Sequence, residues 1–109
     1  MTTKKPWGYF ETFSMNEKCT VKLITLNSGG RLSLQVHKRR DEVWIALDSG
    51  LIVEIGSKKK KARIGEKFRI PKGTLHRASA THKARILEIS TGHFDENDIM
   101  RIEDDYGRA

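Results

Sequence analysis

The segment from residue 31 to residue 55, RLSLQVHKRRDEVWIALDSGLIVEI, has the clearest β-strand pattern in the chain. At its start, apolar side chains alternate with polar ones, and this period of two is typical of a β-strand. Two short runs rich in β-forming residues follow, at 43–47 and 51–55. Between them, Asp48-Ser49-Gly50 has the composition of a hairpin turn. The stretch therefore predicts several short strands in succession, with no helix between them.

The flanking sequence continues this pattern. Strand-like runs occur at 20–25, 68–70 and 85–89, and Pro71-Lys72-Gly73 ends the second of them. Short, closely spaced strands favour a small barrel or a two-sheet sandwich over a βαβ fold. The tail has a different character, because acidic residues at 95–98 suit a helix N-cap and first turn and are followed by apolar residues. We therefore predict an all-β fold with a short C-terminal helix.

Length and composition indicate one folded domain spanning residues 1–109, with a hydrophobic fraction of 37%. No apolar run is long enough to cross a membrane, and the N-terminus lacks the apolar core of a secretory signal. The single cysteine, Cys19, excludes an internal disulfide and suits a reducing compartment. A cytoplasmic location is the expectation.

The net charge of +7 is spread unevenly along the chain. Six acids and two arginines give residues 95–109 a balance of −4, so residues 1–94 carry +11. A basic body predicts an anionic ligand, although charge alone does not choose among nucleic acid, a membrane surface and a phosphorylated metabolite. The run Lys58–Lys61 is typical of a solvated hairpin end that discourages aggregation, and no aromatic-and-basic RNA motif accompanies it. We expect no nucleic-acid and no membrane partner.

Two spacings carry candidate chemistry. The first is Gln35-x-His37-x4-Glu42: residues two apart on a strand share a face, and Glu42 can return to that face on the next strand. The second is Gly65-x5-Pro71-x-Gly73-x2-His76, in which a tight turn precedes the histidine. Two imidazoles, one carboxylate and one amide oxygen form a mixed set that suits a divalent first-row ion.

These two segments resemble the two motifs of the cupin family, with Gln35 in the place of the first motif's first histidine. The resemblance narrows to the phosphomannose isomerases, in which a glutamine and a histidine two apart bind zinc with a glutamate and a later histidine. It points to the C-terminal cupin domain of the type II enzymes, which usually follows a mannose-1-phosphate guanylyltransferase domain. We do not expect that nucleotide-binding domain within 109 residues. The further matches are Lys5-Pro6-Trp7-Gly8, Arg40-x-Glu42-x-Trp44, Ile70-Pro71-x-Gly73-x-x-His76-Arg77 and the closing segment from Asp98 to Arg108.

The resemblance implies a single cupin domain, a double-stranded β-helix or jelly-roll barrel, with a divalent metal ion, zinc in that family. It implies a metal-dependent aldose–ketose isomerase that interconverts mannose 6-phosphate and fructose 6-phosphate in the carbohydrate metabolism of polysaccharide biosynthesis. The alternative is a non-catalytic metal-binding cupin that binds a sugar phosphate or a related anion. The metal ligands that the resemblance implies are Gln35, His37, Glu42 and His76.

Basic residues near these ligands are the candidates for substrate chemistry. Arg108 and Lys38 are the catalytic candidates, and electrostatic stabilisation suits Arg108 better than a role as base because arginine is rarely deprotonated. For the phosphate, Arg40 and Arg77, which lie beside predicted ligands at the expected barrel mouth, could donate charge-assisted hydrogen bonds, and Arg101 is a further candidate. A small domain with a sheet edge often pairs, so a homodimer is possible.

Overall fold

The structure is a computed structural model that describes residues 1–95 and 97–109. The described residues form strands and connecting turns. Their bounds are β1 Thr2–Lys5, β2 Gly8–Glu11, β3 Cys19–Leu26, β4 Leu34–Val36, β5 Arg40–Ala46, β6 Leu51–Ile55, β7 Lys58–Lys61, β8 Lys67–Ile70, β9 His76–Ala80, β10 Ala84–Gly92 and β11 Met100–Glu103. The all-β prediction is confirmed.

Two antiparallel sheets enclose the core. One has the strand order β3-β10-β5-β8 and the other β11-β4-β9-β6-β7, while β1 and β2 form a separate two-stranded sheet. Neighbours in the sheets are distant in sequence, as in the pairing of β10 with both β3 and β5. Side chains from both sheets meet in one buried cluster, to which Trp44 and Ile86 contribute from one sheet and Leu51 and Val53 from the other. Burial of this apolar surface is the main force that holds the two sheets together.

The strand alternation divides the interior into an apolar part and a polar part. In β5 the inward residues are Arg40, Glu42, Trp44 and Ala46, so their polarity falls steadily along the strand. β10 runs antiparallel to β5, and its inward residues change from apolar at the start of the strand to polar at its end. The polar end of β10 therefore lies beside the polar start of β5, where Ser90 pairs with Glu42. The register of these two strands therefore collects polar side chains at one end of the sandwich, where a site can form.

The predicted C-terminal helix was wrong. The structure has β11 there instead, paired with β4 through Met100 opposite Val36 and Arg101 opposite Gln35. Asp98, one of the acidic residues expected in the N-cap and first turn of that helix, instead accepts hydrogen bonds from the backbone N–H groups of residues 38 and 39. The tail thus satisfies its polar groups through distant parts of the chain, and among residues 1–95 and 97–109 no helix forms. Over the same residues, a helix able to span a membrane is also absent.

Candidate metal centre

Three of the four predicted metal ligands come together in the polar part of the interior. His37 directly follows β4, Glu42 lies in β5 and His76 begins β9. All three side chains are buried, and one donor atom from each lies within 4.8 Å of the others. Two imidazole nitrogens and a carboxylate oxygen at this spacing are a suitable donor set for a divalent first-row ion. The alternation of short strands brings together residues that are 39 positions apart in the sequence.

Two donor atoms in this cluster lack partners. His76 Nε2 and Glu42 Oε1 are 3.4 Å apart, both are buried, and neither makes a hydrogen bond in the structure. A buried polar atom without a partner is costly, and native proteins rarely leave two of them facing each other. A cation held between the nitrogen lone pair and the carboxylate oxygen would satisfy both atoms at once. The residues present therefore fit a bound divalent metal.

The hydrogen bonds behind the two histidines orient their rings for metal binding. His37 Nδ1 is 2.7 Å from the carbonyl oxygen of Asp98, and His76 Nδ1 is 2.8 Å from that of Thr74. A carbonyl oxygen only accepts, so each Nδ1 carries the proton and each Nε2 presents a lone pair. Such backbone acceptors fix both the tautomer and the orientation of metal-binding histidines. Both Nε2 atoms point toward Glu42, at 3.7 Å from His37 and 3.4 Å from His76.

Gln35, the fourth predicted ligand, is buried on the strand next to His76. The two residues are directly paired between β4 and β9, and Ser33 Oγ donates to Gln35 Oε1 over 3.3 Å. Gln35 thus borders the cluster, and its role as a metal ligand stays a prediction.

Arg40 lies inside the cluster, where its guanidinium contacts two of the ligands. Its Nε donates to Glu42 Oε2 over 3.1 Å, and its Nη2 lies 3.2 Å from His37 Nε2. A third nitrogen, Nη1, donates to the backbone oxygen of Asp95, and the Phe94 ring lies 4.5 Å from the guanidinium carbon. Arg40 was predicted to bind a phosphate at the barrel mouth. The structure corrects that setting, because its side chain is buried and serves as an internal counter-ion to Glu42.

The electrostatic environments of Glu42 and His37 favour the metal-binding forms of these two side chains. Burial alone would raise the pKa of Glu42, but the close His76 ring and the charges of His37 and Arg40 outweigh burial and lower it. Burial lowers the pKa of His37, and Arg40 acts in the same direction. Metal binding requires an ionised carboxylate and neutral imidazoles. Both shifts favour those protonation states near neutral pH.

A second buried carboxylate, Glu88, lies beside the cluster and was missed from the sequence. Trp44 Nε1 donates to Glu88 Oε2 over 3.1 Å, and Ser90 Oγ lies within hydrogen-bond distance of both Glu88 and Glu42. Burial and the like charge of Glu42 raise the pKa of Glu88. One signal was available: in the strand 85–89, the position of Glu88 shares the inward face with Ile86.

The other two arginines predicted to bind the phosphate differ from each other in their hydrogen bonds. Arg77 is buried and donates to the backbone oxygen of Leu32 over 3.0 Å and to Glu103 over 3.3 Å, so it ties the tail to the sheet and is not free at the barrel mouth as expected. Arg101 pairs with Gln35, and its Nε is buried without a hydrogen-bond partner.

The two catalytic candidates stay predictions. Arg108 binds Asp104 over 2.7 Å and its side chain is 49% exposed, so it does not join the cluster. Lys38 is exposed, and its backbone N–H donates to Asp98.

Solved structures with the same architecture are cupins. The chain resembles a cupin-2 domain protein from Shewanella frigidimarina, with a TM-score of 0.60, 26% identity and coverage of 72% of this chain and 74% of that one. It also resembles KdgF from a Halomonas species, with a TM-score of 0.67, 17% identity and coverage of 77% of each chain. The fold is therefore that of a cupin jelly roll, as predicted.

Within the cupins, the chain belongs to the family described as Mannose-6-phosphate isomerase C-terminal, which it matches over residues 1–104. It is 35% identical over 108 residues to the xanthan biosynthesis protein XanB of Xanthomonas campestris, covering 96% of this chain and 23% of that protein. It is 36% identical to the alginate biosynthesis protein AlgA of Pseudomonas aeruginosa and 33% identical to the mannose-1-phosphate guanylyltransferase ManC of Salmonella typhimurium, each time covering 96% of this chain and 22% of the relative. The chain thus spans less than a quarter of these relatives.

The function predicted from the resemblance was wrong. An isomerase of mannose 6-phosphate and fructose 6-phosphate was expected, but relatives that align over nearly the whole chain are named for guanylyl transfer and for xanthan or alginate biosynthesis. The family's description identifies a shared segment of larger enzymes, and the residues that carry the resemblance define the fold and a cluster of side chains that could hold a metal ion. They do not define a reaction for this segment alone.

Proposed function

We propose that this chain is a metal-binding cupin domain that binds a sugar phosphate or a related anion at its metal. The observation that carries the proposal is the pair of buried, unpartnered atoms, His76 Nε2 and Glu42 Oε1, which face each other at 3.4 Å. His37 Nε2 completes a three-donor set around the same space. Three protein ligands leave coordination positions open for an exogenous oxygen.

Zinc suits two imidazoles and a carboxylate, and it is the metal we propose; manganese, iron, nickel and cobalt also accept such donors. A bound dication would polarise an oxygen of the ligand as a Lewis acid. The residues of the chain contribute the fixed tautomers of the two histidines and the ionised state of Glu42.

Arg101 is the side chain we propose for the anion. Its strand position is opposite Gln35, which in turn pairs with His76, so the three residues form one row across β11, β4 and β9. Its Nε is buried without a hydrogen-bond partner, whereas Arg40 and Arg77 are already bonded to carboxylates and carbonyl groups. A free guanidinium N–H beside a metal is suited to a phosphate oxygen. The charge of +11 on residues 1–94 also favours an anionic ligand.

Metal content measured by mass spectrometry after dialysis against zinc tests the first half of the proposal. We expect about one equivalent in the wild type and loss of zinc in His76→Ala, because a three-donor site loses a third of its ligands. His82→Ala is the matched control, since its ring contacts Ser49 and lies outside the cluster. Equal zinc in the wild type and His76→Ala would overturn the ligand set.

Calorimetric titration of the zinc-loaded protein tests the second half, with mannose 1-phosphate, mannose 6-phosphate and inorganic phosphate as probes. Binding should weaken in Arg101→Ala and persist in Arg85→Ala, whose side chain is bonded to Asp48 in another part of the fold. Undetectable binding of all three probes to the zinc-loaded wild type would reject the anion part and leave the metal part standing.

The relatives suggest the biological setting. Because they are named for mannose-1-phosphate guanylyl transfer and for polysaccharide biosynthesis, we propose that this domain serves the synthesis of activated mannose in the cytoplasm. Its single cysteine supports that location.

A further inference from the structure

Asp98 forms hydrogen bonds with the segment that contains the proposed metal ligand His37. Its two carboxylate oxygens accept hydrogen bonds from the backbone N–H groups of Lys38 and Arg39, at 3.0 and 2.9 Å. Its backbone oxygen accepts the Nδ1–H of His37 at 2.7 Å. One residue of the tail therefore holds three consecutive residues, 37 to 39, at the end of β4.

After Asp98, strand β11 of the tail pairs with β4, the strand that contains the predicted fourth ligand, Gln35. Met100 is opposite Val36, and Arg101 is opposite Gln35. Before Asp98, the backbone oxygen of Asp95 accepts a hydrogen bond from Arg40 Nη1. The described residues of the tail thus contact the segment from 35 to 40 along its length, and that segment supplies His37 and the counter-ion to Glu42.

We propose that Asp98 is a positioning residue for the metal centre and that docking of the tail is thermodynamically linked to metal binding. This inference rests on the metal-binding function proposed above. With the tail docked, His37 has its tautomer fixed and its Nε2 directed into the cluster. With the tail released, His37 Nδ1 loses its acceptor and the amides of residues 38 and 39 lose theirs, so the ring is free to turn and to exchange tautomers.

The linkage is reciprocal. If the docked tail raises the affinity of His37 for the metal, the bound metal must favour the docked tail by the same factor. A purely structural Asp98 would change folding stability and leave metal affinity unchanged. The two possibilities therefore differ in what zinc does to the tail.

Zinc affinity, measured by competition with a fluorescent chelator, is the first readout. Asp98→Ala keeps the backbone carbonyl that accepts from His37 but loses the carboxylate that holds this carbonyl in place through the amides of residues 38 and 39. It should therefore bind zinc about 10-fold more weakly than the wild type, the lower end of the loss that follows when the outer support of a metal-ligating histidine is removed. Asp98→Asn keeps one side-chain acceptor oxygen for those two amides, so its loss should be smaller. Asp48→Ala is the matched control, because Asp48 likewise accepts from a backbone N–H, that of Arg85, but in a different hairpin. Its zinc affinity should match that of the wild type.

Hydrogen exchange of the backbone amides from 99 to 104, with and without zinc, is the second readout. Zinc should slow exchange there in the wild type, and this protection should shrink in Asp98→Ala at a zinc concentration that saturates both proteins. Circular dichroism of each metal-free variant establishes that it is folded.

The outcomes separate the two proposals. A wild type that binds no zinc rejects the metal function itself. A wild type that binds zinc while folded Asp98→Ala binds it equally well rejects the positioning role. Weaker binding in Asp98→Ala without any zinc-dependent protection of the wild-type tail rejects the linkage.

Discussion

Replacing Arg40 with leucine removes the positive charge that the structure places against Glu42. The Arg40 side chain is 7% exposed and that of Glu42 is 1% exposed, so neither charge is screened by water. The substitution leaves a buried carboxylate with a hydroxyl donor from Ser90 but without its cation. Breaking a buried ion pair in this way typically costs about 3–5 kcal/mol. We expect a loss of that size in the free energy of unfolding of the metal-free protein.

Zinc should reverse part of this loss, because a dication between His76 and Glu42 replaces the missing charge. A ligand at 100 times its dissociation constant stabilises the folded state by about 2.7 kcal/mol. We expect zinc to stabilise Arg40→Leu by more than it stabilises the wild type, since the variant has more unpaired negative charge in the cluster.

Urea unfolding with and without zinc measures both quantities. Arg85→Leu is the control, because it breaks the exposed pair with Asp48, whose side chain is 33% exposed, and such pairs contribute about 0–1 kcal/mol. A metal-free Arg40→Leu that loses no more stability than Arg85→Leu would refute the role of Arg40 as an internal counter-ion. If zinc stabilises the wild type and Arg40→Leu equally, the zinc ion does not replace the positive charge of the Arg40 guanidinium.

Three further predictions concern the surroundings of the site. Glu88→Gln should stabilise the protein at pH 7, because burial and the like charge of Glu42 raise the folded-state pKa of Glu88, so stability is lost as pH rises through that folded pKa. Urea unfolding from pH 4 to pH 8 should show a flatter dependence in the variant, and an unchanged profile contradicts the prediction. Gly92→Ala should destabilise the fold by about 1–3 kcal/mol, because φ at this position is +102° and the added Cβ would lie 2.7 Å from the backbone oxygen of Arg39. Thermal unfolding measures the loss. Gly56→Ala is the control for backbone strain alone, because φ there is also positive but the added Cβ meets no atom within 4 Å. Zinc affinity should fall as the pH is lowered below about 6, because protons then compete for the imidazole ligands; a chelator titration at several pH values that finds constant affinity contradicts imidazole ligation.

The alternation of apolar and polar side chains made the central strands predictable from the sequence. The pattern from residue 31 to residue 55 gave the hairpin between β5 and β6 because each inward residue there is buried against the opposite sheet. His37, Glu42 and His76 were also predicted to share a site, and the structure brings them within 4.8 Å of one another. Local pattern sufficed for the hairpin because the register of a buried strand fixes where its side chains point. The placement of His76 with His37 and Glu42 in one site followed instead from the resemblance to the phosphomannose isomerases.

Interactions between distant segments were not predictable in the same way. The acids at 95–98 have the composition of a helix start, but the carboxylate of Asp98 meets amides 59 and 60 residues earlier in the chain. Arg40 was expected at the barrel mouth with its guanidinium available for a phosphate, and only the joint placement of Glu42 and His37 explains its burial. The strands β1 and β2 were missed because they lie outside the two main sheets and their side chains are mostly exposed, so burial leaves no alternation to detect.

A crystal structure of the zinc-soaked protein, with anomalous data collected at the zinc edge, tests the proposed metal centre most directly. We expect one anomalous peak between Glu42 Oε1 and His76 Nε2, with zinc–ligand distances of about 2.0–2.2 Å to His37, Glu42 and His76. Density that shows the two atoms still facing each other without an ion, while zinc occupies another place or none, would contradict this expectation.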